Sequence, residues 1–222
     1  TKHGLRLLSS RIMRNATAVV NRRAKSIPEE TESMLKMISE PLRIQLHFEL
    51  FSGVITKHPF FERYVDECPQ VMRKVCHRAV HTMCVSIGDV IFDAGEIPRY
   101  PQMYIIAHGE LSYFSFAAEE TTLLPGDWVA EATLWMLWMH HGTLTSVDEA
   151  KLIVIDAELF QEIVGQFNHR GYDPRVYAEE FLELMRSRPN DLSDLAMGQE
   201  AEIAQKGRTS DWEGMRRRYS PF

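Results

Sequence analysis

The sequence has few cysteines and no long uncharged apolar run. Its three cysteines, Cys68, Cys76 and Cys84, are spaced eight apart and form no Cys-x-x-Cys pair. An odd, dispersed set of this kind favours reduced thiols in a cytosolic setting and argues against a disulfide framework or a metal site. A membrane helix needs roughly 18 consecutive apolar residues. Because no such run occurs, the sequence predicts a soluble chain.

Acidic residues are missing from the first part of the chain. Residues 1–25 contain seven Lys or Arg and no acid, whereas the remaining residues carry 18 basic and 31 acidic groups. A basic arm of this kind suits an anionic lipid surface or an acidic neighbour, and the alternative is a solvated helix face. The acidic body argues against nucleic acid as the main partner. The sequence also lacks an initiator Met and a signal peptide, so we expect a segment of a longer protein.

Helical signals dominate the first third of the chain. Apolar spacing predicts a helix over Leu5–Val20, and Ser26-Ile27-Pro28 is typical of the start of another. A third helix is expected from Ser39 to His58-Pro59, followed by a short turn at Phe60-Phe61. We expect a further helix over Gln70–Val80.

From His81 the apolar period changes to two, which predicts strands as far as about Leu124. A further strand is expected over Lys151–Asp156, too apolar to have an exposed face. Helices are then predicted over Ala157–Phe167 and Asp173–Arg188. The predicted fold class is α+β, with N-terminal helices, an antiparallel β-roll (jelly-roll-like) of about eight strands, and two C-terminal helices.

Two groups of residues carry a family resemblance. The run Pro125-Gly126-Asp127-Trp128-Val129-Ala130-Glu131-Ala132-Thr133-Leu134, placed after the predicted strands, resembles the phosphate-binding loop of cyclic-nucleotide-binding domains. Met37 to Leu46, followed by His58-Pro59-Phe60-Phe61, resembles the C-linker of cyclic-nucleotide-gated, hyperpolarisation-activated and ether-à-go-go-type channels; a sperm-type sodium/proton exchanger has a related unit. The resemblance covers about residues 20–188. It divides the chain into a C-linker-like region (1–79), a cyclic-nucleotide-binding homology domain (80–188) and a polar C-terminal tail (189–222).

The resemblance assigns roles to the loop. Gly126 matches the turn before it, and Ala130 replaces a glycine of the family. Glu131 matches the glutamate that accepts a hydrogen bond from the ribose hydroxyl. Ala132 and Thr133 would present backbone N–H groups to the cyclic phosphate, aided by the helix dipole.

The arginine that holds the phosphate in the family is missing here. Alignment on Ser146-Val147 places Thr143 at the arginine and Leu144 at the threonine after it, whereas counting forward from Glu131 places His140 near the arginine. A hydrogen bond to a charged group contributes roughly 1.5–3 kcal/mol. The sequence therefore predicts weak or absent binding of cAMP or cGMP, favoured at lower pH if His140 or His141 takes over the role.

The segment Trp135–Met139 is more apolar than a phosphate site requires. Three interpretations remain open. The side chains fill the nucleotide site as a built-in ligand mimic, they form a contact with a neighbouring subunit, or they make a short helix packed on the roll.

These observations predict a regulatory and assembly module of a membrane ion channel or transporter, on the cytoplasmic face of the membrane. The family implies a homo- or hetero-oligomer, a tetramer in the channels. The alternatives are a working cAMP or cGMP sensor that uses the loop amides and Glu131, and a scaffold that docks a partner through Trp135–Met139. Because no nucleophile has a base and an orienting partner, we expect no enzymatic activity, no metal and no firm cofactor.

Overall fold

The computed structural model describes residues 38–169, 171–189 and 192–195. The helices expected over Leu5–Val20 and from Ser26 lie outside these residues. The chain divides into two compact units, residues 1–46 and 47–222. The first unit is described only as the start of helix α1.

Three helices precede the sheets: α1 (Glu40–Ile55), α2 (Pro59–Glu67) and α3 (Pro69–Arg78). The predicted turn at Phe60-Phe61 is wrong, because α2 is a full helix of nine residues. Pro59 suits its first turn, and His58 caps it by accepting the Phe60 N–H on Nδ1 at 3.2 Å. Its buried residues are completely enclosed: Phe60, Phe61 and Tyr64.

Eight antiparallel strands form two four-stranded sheets. They are β1 (Val80–Val85), β2 (Val90–Phe92), β3 (Gln102–His108), β4 (Leu111–Ser115), β5 (Glu120–Leu123), β6 (Trp128–Val129), β7 (Gly142–Ser146) and β8 (Ala150–Asp156). The first sheet has the order β1-β8-β3-β6 and the second β2-β7-β4-β5. The sequence did not predict β6 or β7. Both are short, and only β7 has the alternating burial expected of a strand.

The first sheet is covered on both faces. Leu152 and Val154 of β8 face the interior between the sheets, whereas Ile153 and Ile155 pack with the helices. This arrangement explains why the strand is continuously apolar, and confirms that it has no exposed face.

Two helices follow β8: α4 (Ala157–Gly165) and α5 (Pro174–Ser187). Asp156 and Asp173 cap them by accepting backbone N–H bonds from Leu159 and Arg175. The predicted α+β class, with an antiparallel roll between N-terminal and C-terminal helices, is confirmed. No helix of the described ranges is long and apolar enough to cross a membrane.

Candidate functional site

The segment from Gly126 to Leu134, which includes β6, forms a turn followed by a short helix. Gly126 has φ +105°, a conformation that favours glycine. Ala130 replaces a family glycine and also lies in the left-handed region, with φ +63°. A short 3-10 helix, Glu131–Leu134, follows it directly. Ala130 is completely buried, so an alanine methyl is accommodated there despite the unfavourable φ.

Glu131 lies inside the protein and is already bonded to protein groups. Glu131 is only 4% exposed. Oε1 accepts the Trp135 indole N–H at 3.0 Å and the Tyr177 hydroxyl of α5 at 2.9 Å. Nε2 of His58 lies 2.9 Å from Oε2. The carboxylate predicted to bind a ribose therefore joins α2, the 3-10 helix and α5.

The cap of α2 determines the tautomer of a neutral His58. Because Nδ1 accepts the Phe60 N–H, a neutral imidazole must carry its proton on Nε2, the nitrogen that faces Glu131. His58 is completely buried and packs against Trp128 with ring centroids 4.6 Å apart. One histidine thus serves both the helix cap and the buried carboxylate.

A second buried carboxylate, Asp194, belongs to the segment expected to be a polar tail. Asp194 is 3% exposed. Its Oδ1 accepts Trp138 Nε1 at 2.7 Å and lies 2.7 Å from His140 Nδ1. Its Oδ2 accepts the Tyr113 hydroxyl at 2.8 Å and the His141 backbone N–H at 2.6 Å. We call these four groups the donor set.

The donor set keeps the Asp194 carboxyl ionised. Burial alone would raise the pKa of Asp194. The hydrogen bonds from His140 and Trp138, the charge of His140 and the hydrogen bond from Tyr113 outweigh burial and hold the pKa below its ordinary value. Burial also raises the pKa of Tyr113 to about 12, so its hydroxyl remains a donor at neutral pH.

The backbone around Asp194 is attached to the roll as well. Leu195 forms an antiparallel bridge with Val129, and the Ala130 N–H donates to the Asp194 carbonyl at 2.7 Å. Leu192 packs against the cluster beneath the helices, and Leu195 against the cluster inside the roll. Residues 192–195, which lie in the segment predicted to be a polar tail, therefore pack against the roll.

His140 is held rigidly within the donor set. Its ring stacks on Phe92 with centroids 3.7 Å apart, and the residue is 2% exposed. Its backbone N–H donates to Glu96, and its carbonyl accepts from Gly95. His140 is therefore a buried residue and not part of an exposed loop. Of the two alignments for the missing arginine, only the one that selects His140 reaches Asp194.

The other predicted site residues lie away from this carboxylate. Thr143 Oγ1 accepts the Ala94 N–H at 3.1 Å, and Leu144 is completely buried in the roll. Thr133 donates through both its hydroxyl and its backbone N–H to the Ala130 carbonyl. Ala132, 4% exposed, packs in the cluster beneath the helices. The amide of Thr133 is thus engaged within the loop.

The structure divides the segment Trp135–Met139. Trp135 packs against Phe60 and Tyr177, and Trp138 is buried beside Asp194. Leu137, 94% exposed, and Met139, 41% exposed, point outward. The segment is not a regular helix beyond Leu134, and the group that occupies the donor set is Asp194 rather than a Trp or Met side chain.

Sequence reasoning missed Asp194, Tyr113, Tyr177 and the roles of His58 and Trp138. The one available signal was Leu192-Ser193-Asp194-Leu195, in which two leucines flank the serine and the aspartate within an otherwise polar stretch. Among the described residues, no group of three or more His, Cys, Asp or Glu side chains could hold a metal ion.

No protein-family model matches this chain, and a comparison with curated proteins gives no match either. The resemblance to cyclic-nucleotide-binding domains therefore remains a prediction from the sequence motifs quoted above.

Proposed function

We propose that this chain is a regulatory and assembly module of a membrane ion channel or transporter, with a cyclic-nucleotide-type site that its own Asp194 occupies. The observation that carries the proposal is the buried Asp194 carboxylate, which receives four hydrogen bonds, one of them from His140. His140 is the residue that counting from Glu131 places near the position of the phosphate-binding arginine.

The contacts around the loop argue against tight nucleotide binding. Glu131 accepts from Trp135 and Tyr177 and faces His58, so a ribose hydroxyl would have to displace protein partners. The Ala130 and Thr133 amides donate to carbonyl groups of the chain. A nucleotide would lose these bonds, and the donor set contains no Lys or Arg to compensate.

Thermal unfolding of the full chain with millimolar cAMP, cGMP or AMP tests this proposal. A ligand at one hundred times its dissociation constant stabilises a fold by about 2.7 kcal/mol. We expect the midpoint to be the same with all three nucleotides. A saturable increase with a cyclic nucleotide alone would instead support the sensor, and would overturn the proposed self-occupied site.

The assembly part of the proposal has its own test. The resemblance implies that the module works on the cytoplasmic face of a membrane, in a homo- or hetero-oligomer of four subunits. Light scattering of the full chain over a range of concentrations should show association up to four copies. A monomer at every concentration would count against assembly by this chain alone, without bearing on Asp194.

A further inference from the structure

The hydrogen bonds around Asp194 join two separate parts of the chain. All four donors belong to the roll, from β4 and the loop before β7. The acceptor alone comes from residues 192–195. Donor and acceptor are 53 to 81 positions apart in sequence. The roll therefore contains a complete binding site for a group that is attached to it only through a distant part of the chain.

The number of donors matches a carboxylate. A carboxylate has two oxygens with about four lone-pair positions. Here Oδ1 contacts Trp138 Nε1 and His140 Nδ1, and Oδ2 accepts from Tyr113 and the His141 amide. Two donors for each oxygen saturate the group, which is the condition for burying an anion at acceptable cost.

The chemistry of the donors favours a carboxylate over a phosphate monoester. An indole, a phenol and a backbone amide are neutral, and the imidazole is the one group of the set that can carry a positive charge. A phosphate monoester has about −1.5 to −2 charges and three terminal oxygens. Its third oxygen would have no donor in this site, since the four donors are sufficient for two oxygens only, and its additional charge would not be balanced.

The roll also recognises the backbone next to this carboxylate. β6 is the edge strand of its sheet, and Val129 pairs with Leu195. The Ala130 N–H donates to the carbonyl of Asp194 itself. Main-chain pairing to an edge strand, with separate contacts for alternate side chains, is an established way to bind an extended peptide.

We propose that the donor set is a carboxylate-binding site that accepts the aspartate of an extended segment from another molecule, a second copy of this chain included, when Asp194 is removed or displaced. The inference rests on the proposed function, because both take the site to be occupied by the chain's own aspartate. The four donors supply the carboxylate contacts, and the Val129–Ala130 edge supplies the backbone contacts.

The first experiment is chemical rescue of the full-length Asp194→Gly variant. Its thermal midpoint is measured in formate, in acetate and in chloride at equal ionic strength and pH. We expect formate to raise the midpoint in a saturable way that the wild type does not show. Asp148→Gly is the control, because Asp148 accepts a single backbone N–H from Glu110 at an exposed position. An equal response of all three proteins would overturn the carboxylate site.

The second experiment uses peptides with blocked ends, so that the aspartate is their one carboxylate. Leu-Ser-Asp-Leu should bind the Asp194→Gly chain at least about tenfold more tightly than Leu-Ser-Asn-Leu, since hydrogen bonds to a charged group are lost in the second peptide. Equal affinities would contradict the proposal. If Asp194→Gly fails to fold, Asp194→Asn, which retains the size of the side chain, is used with the same peptide pair.

The two proposals can fail separately. Binding of cAMP or cGMP by the wild type would overturn the proposed function. If the wild type does not bind nucleotides, and Asp194→Gly shows neither formate rescue nor peptide discrimination, only the carboxylate site is overturned. Light scattering of an equimolar mixture of wild type and Asp194→Gly separates a second copy from other sources of the segment. Mixed oligomers that disappear on addition of the Asp peptide would identify the second copy.

Discussion

The two buried carboxylates of this molecule have nearly the same partners and different structural roles. Glu131 contacts a His, a Trp and a Tyr: His58, Trp135 and Tyr177. Asp194 contacts His140, Trp138 and Tyr113, together with a backbone amide. The partners of Glu131 lie on the helices and on its own 3-10 turn, whereas those of Asp194 all lie on the roll.

Because of this difference, we expect Glu131 to be needed for the stability of the fold and Asp194 to be needed for the attachment of residues 192–195 to the donor set. Loss of Glu131 leaves buried groups on several packed elements without their shared acceptor. Loss of Asp194 removes the acceptor of one short segment, and we expect this segment to detach and expose the donors to water. The same three side-chain types therefore hold the helices together at one site and retain a removable segment at the other.

The largest effect is expected for Glu131→Ala. Removing the Glu131 carboxylate leaves its buried donors unsatisfied at about 1–3 kcal/mol each, so we expect a total loss of about 3–5 kcal/mol. Denaturant unfolding should show a loss of this size, and Glu131→Gln should lose less. The exposed pair Arg78–Glu162, 3.2 Å apart, provides the control. Glu162→Ala should change stability by less than about 1 kcal/mol.

A smaller loss, about 1–3 kcal/mol, is expected for Asp194→Ala, because the detached segment allows water to reach the donors. Hydrogen exchange checks the mechanism. The amides of Ala130 and His141 should lose protection, while those of β3 and β8 keep it. A loss equal to that of Glu131→Ala, with global loss of protection, would show that the two carboxylates have the same role.

Much of the fold follows from patterns within one segment, and much of the site does not. The apolar run of β8 and the Asp-Pro start of α5 are local signals, so both elements could be predicted. The position of Asp194 depends on contacts with Tyr113, 81 residues away. A single aspartate in a polar stretch contains no information about such a partner.

The loop shows the same division. Gly126 predicted the turn, because backbone conformation is a property of a few neighbouring residues, whereas the left-handed conformation of Ala130 was not predicted. The role of Glu131 could not be derived in this way. The contacts of Glu131 depend on His58, which precedes the strands in the sequence, and on Tyr177, which follows them.

Gly142→Ala should disturb the Asp194 site while leaving Glu131 intact. A Cβ at Gly142 would lie 2.6 Å from the Tyr113 hydroxyl oxygen and 2.6 Å from the Phe114 carbonyl. The Tyr113 ring would have to move, at a cost of about 1–3 kcal/mol. Gly165→Ala, where the new Cβ meets nothing within 4 Å, is the matched control. Hydrogen exchange at Ala130 should rise in the first variant and not in the second.

The smallest effect is a pH dependence that belongs to Asp194. Its pKa in the folded protein is lower than the ordinary value of 3.8. A lowered pKa means that the stabilisation is fully present above the unfolded pKa and is lost as the pH falls through the folded one. The difference in unfolding free energy between wild type and Asp194→Asn should therefore be constant above about pH 5 and decrease below 3.8. Glu131→Gln provides the comparison under the same conditions. A wild-type advantage that increases towards low pH would contradict an ionised Asp194 held by its donors.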